Sequence, residues 1–218
     1  MRAKLQYVAA GILLALTAGP CLAQSGTRVS DERVSTFLEK MRGQWRDMNV
    51  PEADGRALYD LILKNKYKRA LEIGTSTGHS AVWMAWALSK TGGKLITIEL
   101  DERRYKQALA NFQEAGLAEF IDARLADAHT LVEELAGPFD FVFIDADKDW
   151  YTNYAKAVIP KLQAGGCIAA HNVRDPRAGR RGMGGTGEYY QFMRARGDFD
   201  TSLAPDSPAG LALSYKKR

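Results

Sequence analysis

The stretch FVFIDADKDW, residues 141–150, sets the problem. Four apolar residues, Phe141 to Ile144, run straight into Asp145, Asp147, Lys148 and Asp149. A short apolar run bounded by polar residues is the pattern of a buried strand. Such a strand ends in charge because it has reached either the surface or a site.

Short apolar runs and helical patterns alternate on both sides of it. In order they are RALEIG (69–74), a helix over 79–89, KLITIEL (94–100), a helix over 102–115 and FIDARLA (120–126). A short helix over 128–136, FDFVFID (139–145), a helix over 149–159 and GGCIAA (165–170) complete the series. Tyr105, Ala108, Leu109 and Phe112 have the spacing of a helix face packed on a sheet, and Tyr151, Tyr154, Ala155 and Val158 repeat it. The alternation predicts an α/β fold: a doubly wound, mostly parallel sheet with helices on both faces. FDTSLAP and GLALSYKK, parted by a Pro/Gly turn, read as a terminal antiparallel strand pair. Upstream, Val34, Phe37, Leu38, Met41 and Trp45 give residues 27–49 a helical stripe, and a second helix opens after Pro51. Pattern alone leaves the strand order open.

At 218 residues, 46% apolar and 26% charged, the chain has the length and composition of one globular domain. Residues 1–26, MRAKLQYVAAGILLALTAGPCLAQSG, have a basic start, a short apolar centre and small residues around Cys21–Ala23. That is the layout of a bacterial-type secretory signal, with cleavage expected after Ala23 and export to the periplasm or beyond. The apolar run is short for a membrane span, so no stable membrane insertion is expected after cleavage. Residues 24–218 then form the expected single domain, with N-terminal helices over 30–65. The formal charge of +4 includes Arg2 and Lys4 of the leader. What remains is too little charge to argue for a nucleic-acid partner. Only Cys167 is left after cleavage, inside an apolar run, so it reads as a buried hydrophobe with no disulfide partner.

Each central strand ends in a polar residue. RALEIG holds Glu72 and runs into GTSTG (74–78), KLITIE ends on Glu99, FVFID on Asp145, and CIAA on His171 and Asn172. In an open parallel sheet the carboxyl ends of the strands share one edge, where ligands bind. Four polar endings in register predict one cleft there. GTSTG lacks the G-x-G-x-x-G nicotinamide fingerprint, because Ser76 holds the middle position, and it lacks the Lys-Ser/Thr of a phosphate loop. Glu99, following such a turn at the end of the second strand, is placed to accept both hydroxyls of a ribose.

LEIGTSTGHSA, TIELD, FDFVFIDADKDWYTNY and GGCIAAHNV together resemble the cation-dependent class I O-methyltransferases, the group of the catechol and caffeoyl-CoA enzymes. MNVPEADGRALYDLI and the closing strands share the likeness, which covers about residues 30–218. The resemblance implies S-adenosylmethionine as cofactor. Glu72, Gly74 and Ser80 would surround its methionine part, Glu99 its ribose, and Asp127 and Ala128 its adenine, with Met48 and Val50 closing over it. It implies Lys148 as general base, and Asp145, His171 and Asn172 as ligands of a divalent cation. His171 departs from the usual aspartate. Imidazole weakens the case for Mg²⁺ and favours Mn²⁺ or Zn²⁺. The departure leaves three further alternatives: a metal-independent site with His171 as base, compensation by an acid such as Asp175, or lost activity.

The acceptor implied is a small phenolic, catechol-like molecule, and the assembly a homodimer. An exported cofactor-binding protein with degenerate catalysis and a tRNA-modifying methyltransferase are the other readings. VRDPRAGRRGMGGTGEYY (173–190) reads as a glycine-rich basic loop beside the acceptor, with Trp45, Tyr189 and Tyr190 as its aromatic wall. For Trp83 and Trp86 the expectation is core or interface packing.

Overall fold

Seven strands form one sheet in the order β3-β2-β1-β4-β5-β7-β6. They are β1 (Arg69–Ile73), β2 (Lys94–Glu99), β3 (Ile121–Leu125), β4 (Phe139–Ile144), β5 (Leu162–His171), β6 (Phe199–Leu203) and β7 (Leu211–Lys216). The first five in that order run parallel, and β7 lies antiparallel between β5 and β6. The computed structural model describes residues 29–175 and 182–218. The expected leader, with Cys21 and Ala23, and Arg177, Arg180 and Arg181 of the basic loop lie outside the described residues. The doubly wound, mostly parallel sheet and its closing antiparallel strands are as the sequence pattern predicts.

Alternate residues of the central strands feed two apolar layers. Ala70, Leu95, Phe141, Phe143, Cys167 and Ala169 point to one of them. That layer is covered by α1 (Asp31–Lys40), α2 (Glu52–Asn65), α3 (His79–Thr91) and α4 (Glu102–Ala115). Leu71, Ile73, Val142, Ile144, Ile168 and Ala170 point to the other, under α5 (Ala128–Glu134), α6 (Tyr151–Val158) and α7 (Thr186–Arg194). Strands buried on both faces have no polar side to alternate, which is why FVFI reads as a continuous apolar run. Each fully buried Phe or Leu in these layers stabilises the fold by about 1.5–3 kcal/mol relative to exposure. Among the described residues, no helix is long and apolar enough to cross a membrane.

Three local expectations change. The first helix ends at Lys40 rather than continuing toward residue 47, and Gly43, Asp47 and Met48 all take positive φ. The buried stripe of α4 is Ala108, Asn111, Phe112 and Ala115, while Leu109 is exposed. Asn111 joins the stripe because its amide donates to the carbonyl of Thr77 at 2.8 Å, tying α4 to the glycine turn. Finally, α7 occupies the end of what reads as a loop. Tyr189, Tyr190 and Met193 form its buried face, so neither tyrosine serves as an aromatic wall for a ligand.

Candidate active site

The strand order reverses between β1 and β4, and the carboxyl ends of these two strands open a cavity of 710 Å³. Gly74, Glu99, Asp145, Lys148, His171 and Asn172 all line it. Met48, Asp127 and Ala128 line it too, so the predicted cleft gathers residues from six separate chain segments. Val50, Glu72 and Ser80 are buried and do not reach its surface.

Gly74 holds the turn after β1 at φ +101, and a Cβ there would meet Ala146 at 2.7 Å. This is the close approach that demands glycine: the β1 and β4 ends touch at this point. Beneath it, Glu72 is fully buried and accepts from the Ser80 hydroxyl at 2.5 Å and from Thr97. Thr75 extends the chain of hydroxyls to Thr97 at 2.5 Å. Burial pushes the Glu72 carboxyl up to about 8, although the Ser80 and Thr97 hydrogen bonds and other charges modify that rise. Glu99 is anchored by three backbone N–H donors, from Ser76 at 2.7 Å, Asp101 at 2.9 Å and Leu100 at 3.0 Å. Fixed in this way at the rim, its carboxylate offers its remaining lone pairs to the cavity.

Residues 47–50 form the upper wall. The Arg104 and Arg103 guanidiniums bond Asp47 and hold its carboxyl at about 2. The Ser76 hydroxyl donates to the Asp47 carbonyl, and Asn49 donates to Thr77 Oγ1 at 2.7 Å. Below them His79 stacks on Trp45, with 4.4 Å between ring centroids. Its Nε2 accepts from the Trp83 indole at 3.0 Å, leaving Nδ1–H to donate to the Val50 carbonyl at 2.9 Å. Burial lowers the His79 pKa, which favours this neutral form. Trp45 and Trp83 therefore build the support of the wall and do not line the cavity.

Lys148 stands in the short turn that follows β4. Its Nζ donates to Asp145 Oδ1 at 2.6 Å and to the Tyr151 hydroxyl at 2.9 Å, and that hydroxyl donates on to the His171 carbonyl at 3.2 Å. Burial pushes the Tyr151 phenol well above its ordinary value, so it stays protonated in this chain. His171 sits between two carboxylates, with Nδ1 at 3.2 Å from Asp145 Oδ1 and Nε2 at 2.9 Å from Asp54 Oδ2. Burial alone would lower the ring's pKa. The bonds to Asp145 and Asp54 outweigh it and raise the value to about 9. Among the described residues no group of three His, Cys, Asp or Glu side chains is arranged to hold a metal ion. Asn172 takes φ +57 beside His171 and lines the cavity.

Sequence reasoning missed Asp54, His129 and Trp150. Asp54 opens the buried stripe Asp54–Leu58–Ile62 of α2, and a carboxylate at a core position was the available signal. His129 stacks on Trp150 with 4.0 Å between centroids and bonds Asp147 at 2.8 Å, making a flat platform beside Ala128.

Fold and cleft together define a Rossmann-like doubly wound domain with its ligand cavity at the switch point. The profile of the O-methyltransferase family matches residues 29–175, and the chain belongs to that family. A catechol O-methyltransferase from Niastella koreensis is 41% identical over 130 residues, covering 58% of this chain and 58% of that one. Caffeoyl-CoA O-methyltransferase 1 from Eucalyptus globulus is 35% identical over 134 residues, 59% of this chain and 54% of the relative. The alignments thus span little more than half of these relatives. The crystal structure of the O-methyltransferase TomG from Streptomyces achromogenes in complex with SAM superposes with a TM-score of 0.70 at 25% identity. It covers 89% of this chain and 93% of that one.

Proposed function

We propose that this chain transfers a methyl group from S-adenosylmethionine to a hydroxyl of a small phenolic, catechol-like acceptor. The observation that carries the reading is the meeting of Glu99, Lys148 and Asp145 in one 710 Å³ cavity, the size of a small-molecule site. S-adenosylmethionine carries its methyl group on a positively charged sulfur, which makes that carbon electrophilic as it stands. The residues present fit it. Glu99 offers anchored lone pairs to vicinal ribose hydroxyls, the His129 ring, stacked on Trp150 and lining the cavity, suits a flat base, and Asp145 at the cavity wall places negative potential near a cation.

The chain then has two tasks, to hold the acceptor oxygen in line and to receive its proton. Lys148, in its amine form, takes that proton as the new C–O bond forms and the S–C bond breaks. Tyr151 and Asp145 hold its Nζ at the cavity wall. The test is calorimetric titration of the cofactor, followed by transfer of label from methyl-labelled cofactor to catechol. Binding together with a labelled methyl ether supports the reading. Binding with no methylation of any phenol contradicts it.

We also propose that residues 1–23 direct export of the protein. A mature N-terminus at Gln24 in protein recovered outside the cytoplasm supports this, and an intact Met1 contradicts it.

A further inference from the structure

The cation that accompanies the family resemblance does not fit the donors of this chain. A divalent ion needs lone pairs aimed at one point. Both ring nitrogens of His171 already face carboxylates, Asp145 at 3.2 Å and Asp54 at 2.9 Å. Held between the two at hydrogen-bond distance, the ring has each nitrogen already partnered by a carboxylate oxygen and neither free to meet an ion in the cavity. Asp145 Oδ1 also receives Lys148 Nζ at 2.6 Å. The cluster packs Asp54, His171, Asp145 and Lys148 against one another, with side-chain exposures from 1% for Asp54 to 21% for Lys148. A dication entering it would have to displace hydrogen bonds already made among groups largely shielded from water.

We propose that the Asp54–His171–Asp145 string occupies the role of the divalent cation, so that the site orients its acceptor without a metal and Asp54 is a positioning residue. This rests on the methyl-transfer reading of the cavity. Asp54 reaches the site through the register of two elements. His171 shares its strand face with Cys167 and Ala169, which point to the layer covered by α2, and Asp54 begins the buried stripe of α2. Asp54 is fully buried, and its Oδ1 has no hydrogen-bond partner among the described residues. A buried carboxylate left so is costly unless a partner lies against it, and His171 Nε2 lies 2.9 Å from its Oδ2. The ring in turn meets Asp145 at Oδ1, the same oxygen that receives Lys148 Nζ, which sets where Lys148 Nζ meets the acceptor hydroxyl. With both ring nitrogens of His171 engaged by carboxylates, Lys148 and not His171 receives the acceptor's proton.

The probe is Mn²⁺, whose free electron-paramagnetic-resonance signal falls on binding. The full chain is titrated with Mn²⁺ in the presence of S-adenosylmethionine, and methyl transfer is measured in excess EDTA. The expected result is no loss of signal at millimolar Mn²⁺ and equal turnover with and without EDTA. Stoichiometric Mn²⁺ uptake that disappears in Asp145→Ala, or turnover abolished by EDTA, overturns the proposal. Asp54→Asn is expected to lower kcat/KM for the acceptor by on the order of 10²-fold through misplacement, with cofactor affinity unchanged. An unchanged kcat/KM removes Asp54 from the role. Should Asp54→Asn not fold, the wild-type Mn²⁺ and EDTA measurements still decide. Because Mn²⁺ binding is read without turnover, failure of the methyl-transfer reading shows separately, as cofactor binding with no phenol methylated.

Discussion

Glu72 and His171 are the residues whose ionisation the fold disturbs most usefully. Glu72 is lifted from 4.5 to about 8 by burial. Between those values the unfolded chain has released a proton that the folded chain keeps, so this group costs stability as pH rises through the window and adds no slope above it. Glu72→Gln removes the slope, at most about 1.4 kcal/mol per pH unit. Its melting temperature should therefore gain on wild type between about pH 5 and about pH 9. A difference that is constant across pH would contradict the burial argument. His171 moves the same way for the opposite reason. Its value is raised from 6.5 to about 9, so its contribution is complete below the lower figure and lost as pH rises through the upper one.

Strand-end charges were legible from the sequence because each closes an apolar run. Asp54 was not, because its partner lies 117 residues away. Neither the helix stripe nor the strand parity names the other.

At the scale of elements, the β1–α3 turn is the part with least freedom. Gly74→Ala forces an alanine to φ +101 with its Cβ 2.7 Å from Ala146, so the end of β4 must move. The backbone strain alone costs about 1–3 kcal/mol. Denaturant unfolding should show at least that loss, together with weaker cofactor binding, and a change within experimental error would contradict the contact. His79→Ala removes the two ring bonds and the Trp45 stack that support residues 47–50. A loss of about 1–3 kcal/mol is expected, with cofactor affinity reduced alongside stability. Unchanged affinity would detach that wall from binding. Helix α7 escaped the sequence reading because its glycine-rich approach and arginines mark a loop. Only Tyr189, Tyr190 and Met193 carry the helical spacing, and they describe barely one turn.

At the scale of the molecule, alternation of strand and helix predicted the doubly wound class, because each βα unit buries its own apolar faces locally. The order β3-β2-β1-β4-β5-β7-β6 was not predictable from the same pattern. It depends on where each crossover lands, and alternating burial is the same for every landing. The insertion of β7 between β5 and β6 follows that rule, since FDTSLAP and GLALSYKK read as a pair in either order. If the cavity takes its cofactor in the folded state alone, S-adenosylmethionine at one hundred times its Kd should stabilise the chain by about 2.7 kcal/mol. Thermal unfolding with and without cofactor measures this, and an unmoved melting temperature would contradict cofactor binding.

The most direct test of the account is methyl transfer from labelled S-adenosylmethionine to catechol in excess EDTA, with wild type beside Lys148→Ala. Wild type should form the labelled methyl ether in EDTA. Lys148→Ala should be slower by about 10²-fold or more, as expected for loss of a general base, with its cofactor Kd unchanged. Equal rates for the two proteins, or no methyl ether from wild type while the cofactor binds, would contradict it.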